Sequence, residues 1–300
     1  MPVCRLCQND RPLELSHIVP RFVAKRLKAD SPNPFLRNWT EPNRRLQDAP
    51  KETLLCRQCE ERFSRLEEAF ARDIFTPTMD GNVLTGVVVT REHHAFCASL
   101  LWRALVLPLE RKGEPDLADY DDEDWVAMEM VESGLRAFLT GACAHPADME
   151  YHLFNARSTT ECDQQGMNAL MNLTTGIAIR GDGEAPERLY AIAFLNGLIL
   201  VGLVRSTPAS RIEWEAGATR MRPGDFWKNH HQEIHDGYFG RLLLGMAQQL
   251  IDGRSNLNPT QAAVASNAMK TADTEAWINS PHGQAVIQDY LNRKRIEGDQ

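Results

Sequence analysis

Four of the seven cysteines in this 300-residue chain stand as two Cys-x-x-Cys pairs, Cys4 with Cys7 and Cys56 with Cys59. Two such pairs offer four thiolates, the ligand set that a tetrahedral zinc ion takes with little strain. The alternative chemistry is thiol–disulfide exchange of the thioredoxin type, which needs its pair after a strand and at the opening of a helix. Cys4 lies too near the N-terminus for that, and a redox pair leaves the other two cysteines without a role. The expectation is one structural Zn2+ held by Cys4, Cys7, Cys56 and Cys59. Cys97, Cys143 and Cys162 stand singly and read as small buried hydrophobes, so no disulfide framework is implied.

The 48 residues between Cys7 and Cys56 are too many for a simple zinc ribbon, so a functional insertion is expected there. It contains ELSHIVPRF, with His17 ahead of two β-branched residues and a proline. In chain order, CRLC, LSHIVP and LLCRQCE resemble the treble-clef form of the HNH endonuclease family, closest to a subset with Ser-His-Ile-x-Pro and a second pair continuing as Cys-Glu. HAFCASLLWRAL, from His94, is similar to the segment after the module in that subset. The resemblance covers about a third of the chain.

The resemblance implies a phosphodiesterase in which His17 is the general base that takes a proton from water, a task suited to imidazole because its ordinary pKa lies near neutrality. It implies a second, catalytic cation beside His17. Ser16 stands where the family usually has an Asp or His ligand, Glu60 where it has a His, and Ser64 one helical turn further on. The family's middle Asn is replaced by Lys51. Glu60, Ser64 and Glu67 are spaced i, i+4, i+7 and share one helix face. Carboxylates beside Ser16 favour Mg2+ or Mn2+ over zinc or nickel. Acidic residues also simply suit a helix N-terminus, and for Glu60 both explanations stand. Arg21, Lys25, Arg44 and Arg45 are the cations placed for nucleic-acid contact, and Trp39 with Arg37 adds an aromatic, although a Trp in a loop also serves as a packing anchor.

Other histidines carry less. His231 and His235 lie at i, i+4 in NHHQEIH, but Gln232 occupies the place where a metalloprotease needs Glu, which leaves a solvated helix face. His93 and His94 open a helix without a ligand partner. No phosphate-binding Gly-rich loop and no Gly-x-Ser-x-Gly elbow occurs.

The elements that must hold these residues emerge from periodicity. Phe63, Leu66, Phe70 and Ile74 recur at helical spacing, so the second cysteine pair leads into an amphipathic helix, followed by a linker at Thr76, Pro77, Asp80 and Gly81. Residues 91–108 and 122–141 read as core helices. Residues 151–155 and 169–179 read as short strands. Two apolar runs, LYAIAFL and LILVGLV, flank Asn196-Gly197 and predict a buried antiparallel hairpin with a type I′ turn. Residues 226–250 read as helix, with one or two more helices and a charged tail beyond.

With 43% hydrophobic and 25% charged residues the chain is neither disordered nor fibrous. Its net charge of −8 divides unevenly, +3 over residues 1–75 and −11 over the rest, compatible with local phosphate contact by the N-terminal part. A surface of mixed signs explains the balance equally well. The polar start with two cysteines is no secretory leader and suggests the cytoplasm. The 16-residue apolar run from Leu189 to Val204 is too short to span a bilayer. The expected fold is α+β: a zinc-binding treble-clef or ββα module (1–76), a helical region (77–148), an antiparallel β region holding the hairpin (149–225) and C-terminal helices (226–300). The expected function is metal-dependent cleavage of nucleic acid by His17, with residues 76–300 available to a protein partner or a second copy. The rival is a zinc-stabilised binding or scaffold protein with an inactive HNH core.

Overall fold

The computed structural model describes residues 2–33, 35–82, 84, 86–146, 149–158, 164–182, 185–228 and 232–298. Cys162, His230 and His231 lie outside them. The chain is mixed α and β, with its strands paired antiparallel. It opens with the first cysteine pair, then β1 (Leu13–His17), α1 (Arg21–Asp30), the short β2 (Leu36–Arg37) and β3 (Arg45–Leu46), β4 (Lys51–Cys56) and α2 (Arg57–Phe70). β1 pairs with β4, and β2 with β3.

Helix α2 runs on without a break into a π-helical stretch, Ala71–Phe75, and then α3 (Thr76–Met79). The expected linker at Thr76 is therefore helical at first. Pro77, which has no N–H to donate, stands as the second residue of α3, directly after the π-helical stretch. The turn comes at Asp80 and Gly81.

Next come α4 (Arg91–Glu110) and α5 (Asp122–Thr140), the expected core helices. From Phe96 to Val106 every residue of α4 is buried, so this helix is the axis about which its neighbours pack. Phe70 stacks on Phe96 with ring centroids 4.1 Å apart, and Phe63 meets Trp102 edge-on at 5.9 Å, locking α2 to α4.

The β region holds β5 (Glu150–Asn155), α6 (Met167–Leu173), β6 (Thr175–Asp182), β7 (Ala185–Leu195), β8 (Leu198–Arg205), α7 (Pro208–Gly217) and β9 (Thr219–Arg220). Its five-stranded sheet has the order β6-β7-β8-β5-β9. Asn196 (φ 53°) and Gly197 (φ 107°) form the turn between β7 and β8, with Phe194 opposite Ile199. Both central residues have positive φ, as a type I′ turn requires.

The apolar run has a simple cause: the hairpin is covered on both faces. Leu189, Ala191, Ala193 and Leu200 join the core shared with α4, α5 and the cysteine-bearing module, whereas Tyr190, Ile192, Phe194 and Val201 join a second core with α6, α7 and the C-terminal helices. Among the described residues no helix is long and apolar enough to cross a membrane.

Two expectations fail locally. Residues 169–173 are helix, not strand: the carboxylate of Asp289 accepts hydrogen bonds from the Asn168 and Ala169 N–H groups (3.1 and 3.0 Å) and so caps α6 from a distant part of the chain. The helix expected from 226 starts only at Gly237. It is α8 (Gly237–Ser255), fixed by the Asp236 side chain accepting from Tyr238 and Phe239 N–H. His235 thus lies in an irregular segment and not on a helix face. α9 (Pro259–Thr271), α10 (Thr274–Asn279) and α11 (Pro281–Gly298) complete the chain.

Candidate metal centre and catalytic site

The first cysteine pair sits in a tight turn held by backbone bonds, Gln8 N–H to Cys4 O (2.9 Å) and Cys4 N–H to Asn9 O (3.0 Å), with Gln8 at positive φ. Arg5 N–H donates to Leu54 O (2.9 Å), which lays this turn against β4. Cys56 ends β4 and Cys59 lies in the first turn of α2, so the second pair is presented by a strand-to-helix junction. The four sulfurs lie within 4.8 Å of one another. Cys7 Sγ and Cys56 Sγ are 3.8 Å apart, close to the about 3.8 Å edge of a tetrahedron with ~2.3 Å metal–sulfur bonds. The cluster can therefore hold a metal ion. Cys59 is pushed up by burial and then by the charge of Cys4. Burial also pushes Cys7 up, but hydrogen bonds from Asn9 N–H and the neighbouring thiols outweigh it and bring Cys7 to about 7.

Toward the other end of the β1–β4 pair from Cys56, β1 delivers Ser16 and His17 to different partners. Ser16, buried, donates its hydroxyl hydrogen to Glu60 Oε2 (2.7 Å) across to α2. His17 pairs in register with Lys51 on β4, and its Nε2 donates to Asp48 Oδ2 at 2.9 Å. Lys51 Nζ reaches the same oxygen, also at 2.9 Å. Lys51 holds the Asp48 carboxyl well below the usual carboxylate range; burial opposes this, and His17 and the Ala49 N–H add to it. The β1–β4 register slips between Glu14 and Ser16, and Leu15 at this bulge is 63% exposed immediately ahead of the pair.

The remaining expected ligands are not gathered there. Glu67 accepts from Arg103 Nη2 (2.9 Å), an arginine whose side chain is 2% exposed and whose guanidinium lies over the Phe63 ring at 4.8 Å. Glu67 is thus engaged with Arg103. Ser64 is exposed on α2. Among the described residues the four cysteines form the one group of three or more His, Cys, Asp or Glu side chains placed to hold a metal. Asp48 is the member that sequence reasoning missed: its role depends on the β1–β4 register, which no motif marks.

Of the expected nucleic-acid contacts, Arg21 and Lys25 are exposed one turn apart on α1. Arg44 pairs with Glu41 at 3.2 Å, and Arg45 lies over the Phe35 ring at 5.3 Å. Trp39 is a packing anchor, half-buried against the second core. Among the other histidines, His93 donates to Asp73 (3.1 Å) and accepts from Thr90 N–H, closing the cap of α4, while His94 is buried against Tyr151 and Met221 O. Burial lowers the pKa of His94, partly offset by Met221 O.

No family model, no curated protein and no solved structure matches this chain.

Proposed function

We propose that this protein is a phosphodiester hydrolase of HNH type acting on nucleic acid, with a structural zinc ion on Cys4, Cys7, Cys56 and Cys59 and with His17 as general base. The observation that carries the reading is the bond from His17 to Asp48 at the end of β1, the opposite end of the β1–β4 pair from Cys56. Asp48 is ionised and can only accept, so in the neutral form of the imidazole the hydrogen is on Nε2. The lone pair is then on Nδ1, on a ring 21% exposed, where it can take a proton from water attacking a phosphodiester. Arg21 and Lys25 come next on α1 as contacts for the phosphate backbone. A zinc–thiolate module suits a reducing compartment, and the cytoplasm is the proposed location.

The expected Mg2+ or Mn2+ fits the donor set poorly. Of the two expected carboxylate ligands, Glu60 is the one without a cationic partner, and one of its oxygens already accepts from Ser16. Ser64 adds a single exposed hydroxyl. Magnesium in such sites uses one or two carboxylates together with substrate phosphates and water, and one half-engaged carboxylate falls short of that. No step of the mechanism is assigned to it.

The Ser16–Glu60 bond also favours a second reading, a zinc-stabilised binding or scaffold protein, because it closes the gap that a bridging cation would occupy. One comparison separates the two. Purified protein should nick plasmid DNA or cut RNA, and His17→Ala should abolish this with zinc content and melting temperature unchanged. Equal traces of cleavage in both preparations would leave the scaffold reading standing.

A further inference from the structure

We propose that Lys51 supplies the positive charge that stabilises the phosphorane at His17, so that cleavage proceeds without a divalent cation. The inference rests on the phosphodiesterase reading. His17 and Lys51 are cross-strand partners, and both reach Asp48 Oδ2 at 2.9 Å. His17 Nε2 and Lys51 Nζ are therefore no more than about 6 Å apart, and Nδ1, about 2 Å across the ring, is no more than about 8 Å from Nζ, a span that a water and a single phosphate group can bridge. The face they share is open: the side chains of His17, Asp48 and Lys51 are 21%, 39% and 33% exposed. Asp48 Oδ1 accepts from Ala49 N–H (3.0 Å), so the carboxylate that holds both cations is itself fixed to the backbone.

The charge balance changes in the right direction as the reaction runs. Before it, Asp48 is shared between an ammonium and a neutral imidazole. His17 Nδ1 then takes a proton from water, the resulting hydroxide forms the new P–O bond, and imidazolium becomes the second cation on Asp48. Lys51 is left with surplus positive charge as the phosphorane gains negative charge, and a compact ammonium is a point charge suited to a phosphate oxygen. The P–O3′ bond breaks with its electron pair going to the 3′-oxygen, which takes a proton from bulk water. His17 returns its proton to solvent.

The experiment uses full-length protein in buffer stripped of Mg2+ and Mn2+, with one zinc per chain confirmed, and a supercoiled plasmid as substrate. The expected result is the same cleavage rate with and without added Mg2+ or Mn2+. Lys51→Met should lower kcat by about 10²–10³-fold with a small change in KM, and Lys51→Arg should recover at least a tenth of the rate. Wild-type cleavage that appears only with added Mg2+ or Mn2+ overturns the role of Lys51 and leaves His17 in place. Lys51→Met and Lys51→Arg that are equally inactive would likewise overturn it. Absence of cleavage under every condition, identical to His17→Ala, removes the phosphodiesterase reading and this inference with it.

Discussion

Replacing Glu67 by Ala tests whether this carboxylate serves the fold or a metal. Arg103 is the most buried cation of the α2–α4 seam, and its Nη1 has no hydrogen-bond partner, so Glu67 is the carboxylate that balances it. Removing one member of a buried pair leaves an uncompensated charge and costs about 3–5 kcal/mol. Glu67 is itself 22% exposed and water can enter beside it, which sets the expectation at the lower end, about 3 kcal/mol. A chain of this size has a melting entropy of roughly 0.6 kcal/mol/K, so thermal denaturation should shift down by about 5 °C. The double variant Glu67→Met with Arg103→Met should recover most of the loss, because the charge is removed together with its partner. Divalent-metal binding, measured by calorimetry on the same proteins, should be the same in Glu67→Ala as in the wild type. A melting temperature within 1 °C of wild type, combined with lost metal binding, would refute the assignment and return Glu67 to the cation site.

Two further outcomes are expected. Removing zinc with a chelator, or replacing Cys56 with Ala, should unfold the N-terminal module, since metal binding at such sites contributes ~10 kcal/mol or more; a thermal transition unchanged after elemental analysis shows zinc loss would count against the structural ion. His282 should steepen acid denaturation: burial first, and then Arg254, bring its pKa from 6.5 to about 4, with Asp30 opposing. Its contribution is fully present above pH 6.5 and is lost as pH falls toward 4, on the order of 3 kcal/mol at full linkage. His282→Phe should flatten that slope, and an identical slope in urea titrations from pH 7 to pH 4 would show that His282 is not the group responsible.

The cysteine cluster was legible because zinc chemistry demands a ligand type and a spacing that survive in the sequence without any knowledge of pairing. The hairpin was legible for a similar local reason: positive φ at two successive residues restricts Asn196-Gly197 to one turn family. Failures came where a distant residue decided the outcome. Asp289 turns residues 167–173 into a helix from 120 positions away; Asp236, the local cap that starts α8, is fixed in place by the distant Arg188, Tyr190 and Trp214. Asp48 belongs to the same class: its importance lies in a strand register that brings His17 opposite Lys51. Helical spacing puts Glu67 on the face of Glu60, while its pairing with a buried arginine 36 positions further on could not be read from the sequence.

The excursion between the two cysteine pairs ends on the far side of the chain. A Cβ at Gly253 would lie 2.6 Å from Trp39 O, so α8 runs directly against the loop backbone. Asn43 donates to Asn256 O and accepts from Asn258 N–H, and Arg37 donates to Gln261. The loop between the two cysteine pairs is therefore also fastened at its tip by residues more than 200 positions away. Contacts of such long sequence separation slow folding, and the gathering of the cysteines and the seating of α8 and α9 are two closures of one ring. Thermodynamic reciprocity makes any coupling between the two closures mutual: if metal loss at the cysteines weakens the docking of the C-terminal helices, loosening those helices weakens metal retention by the same factor.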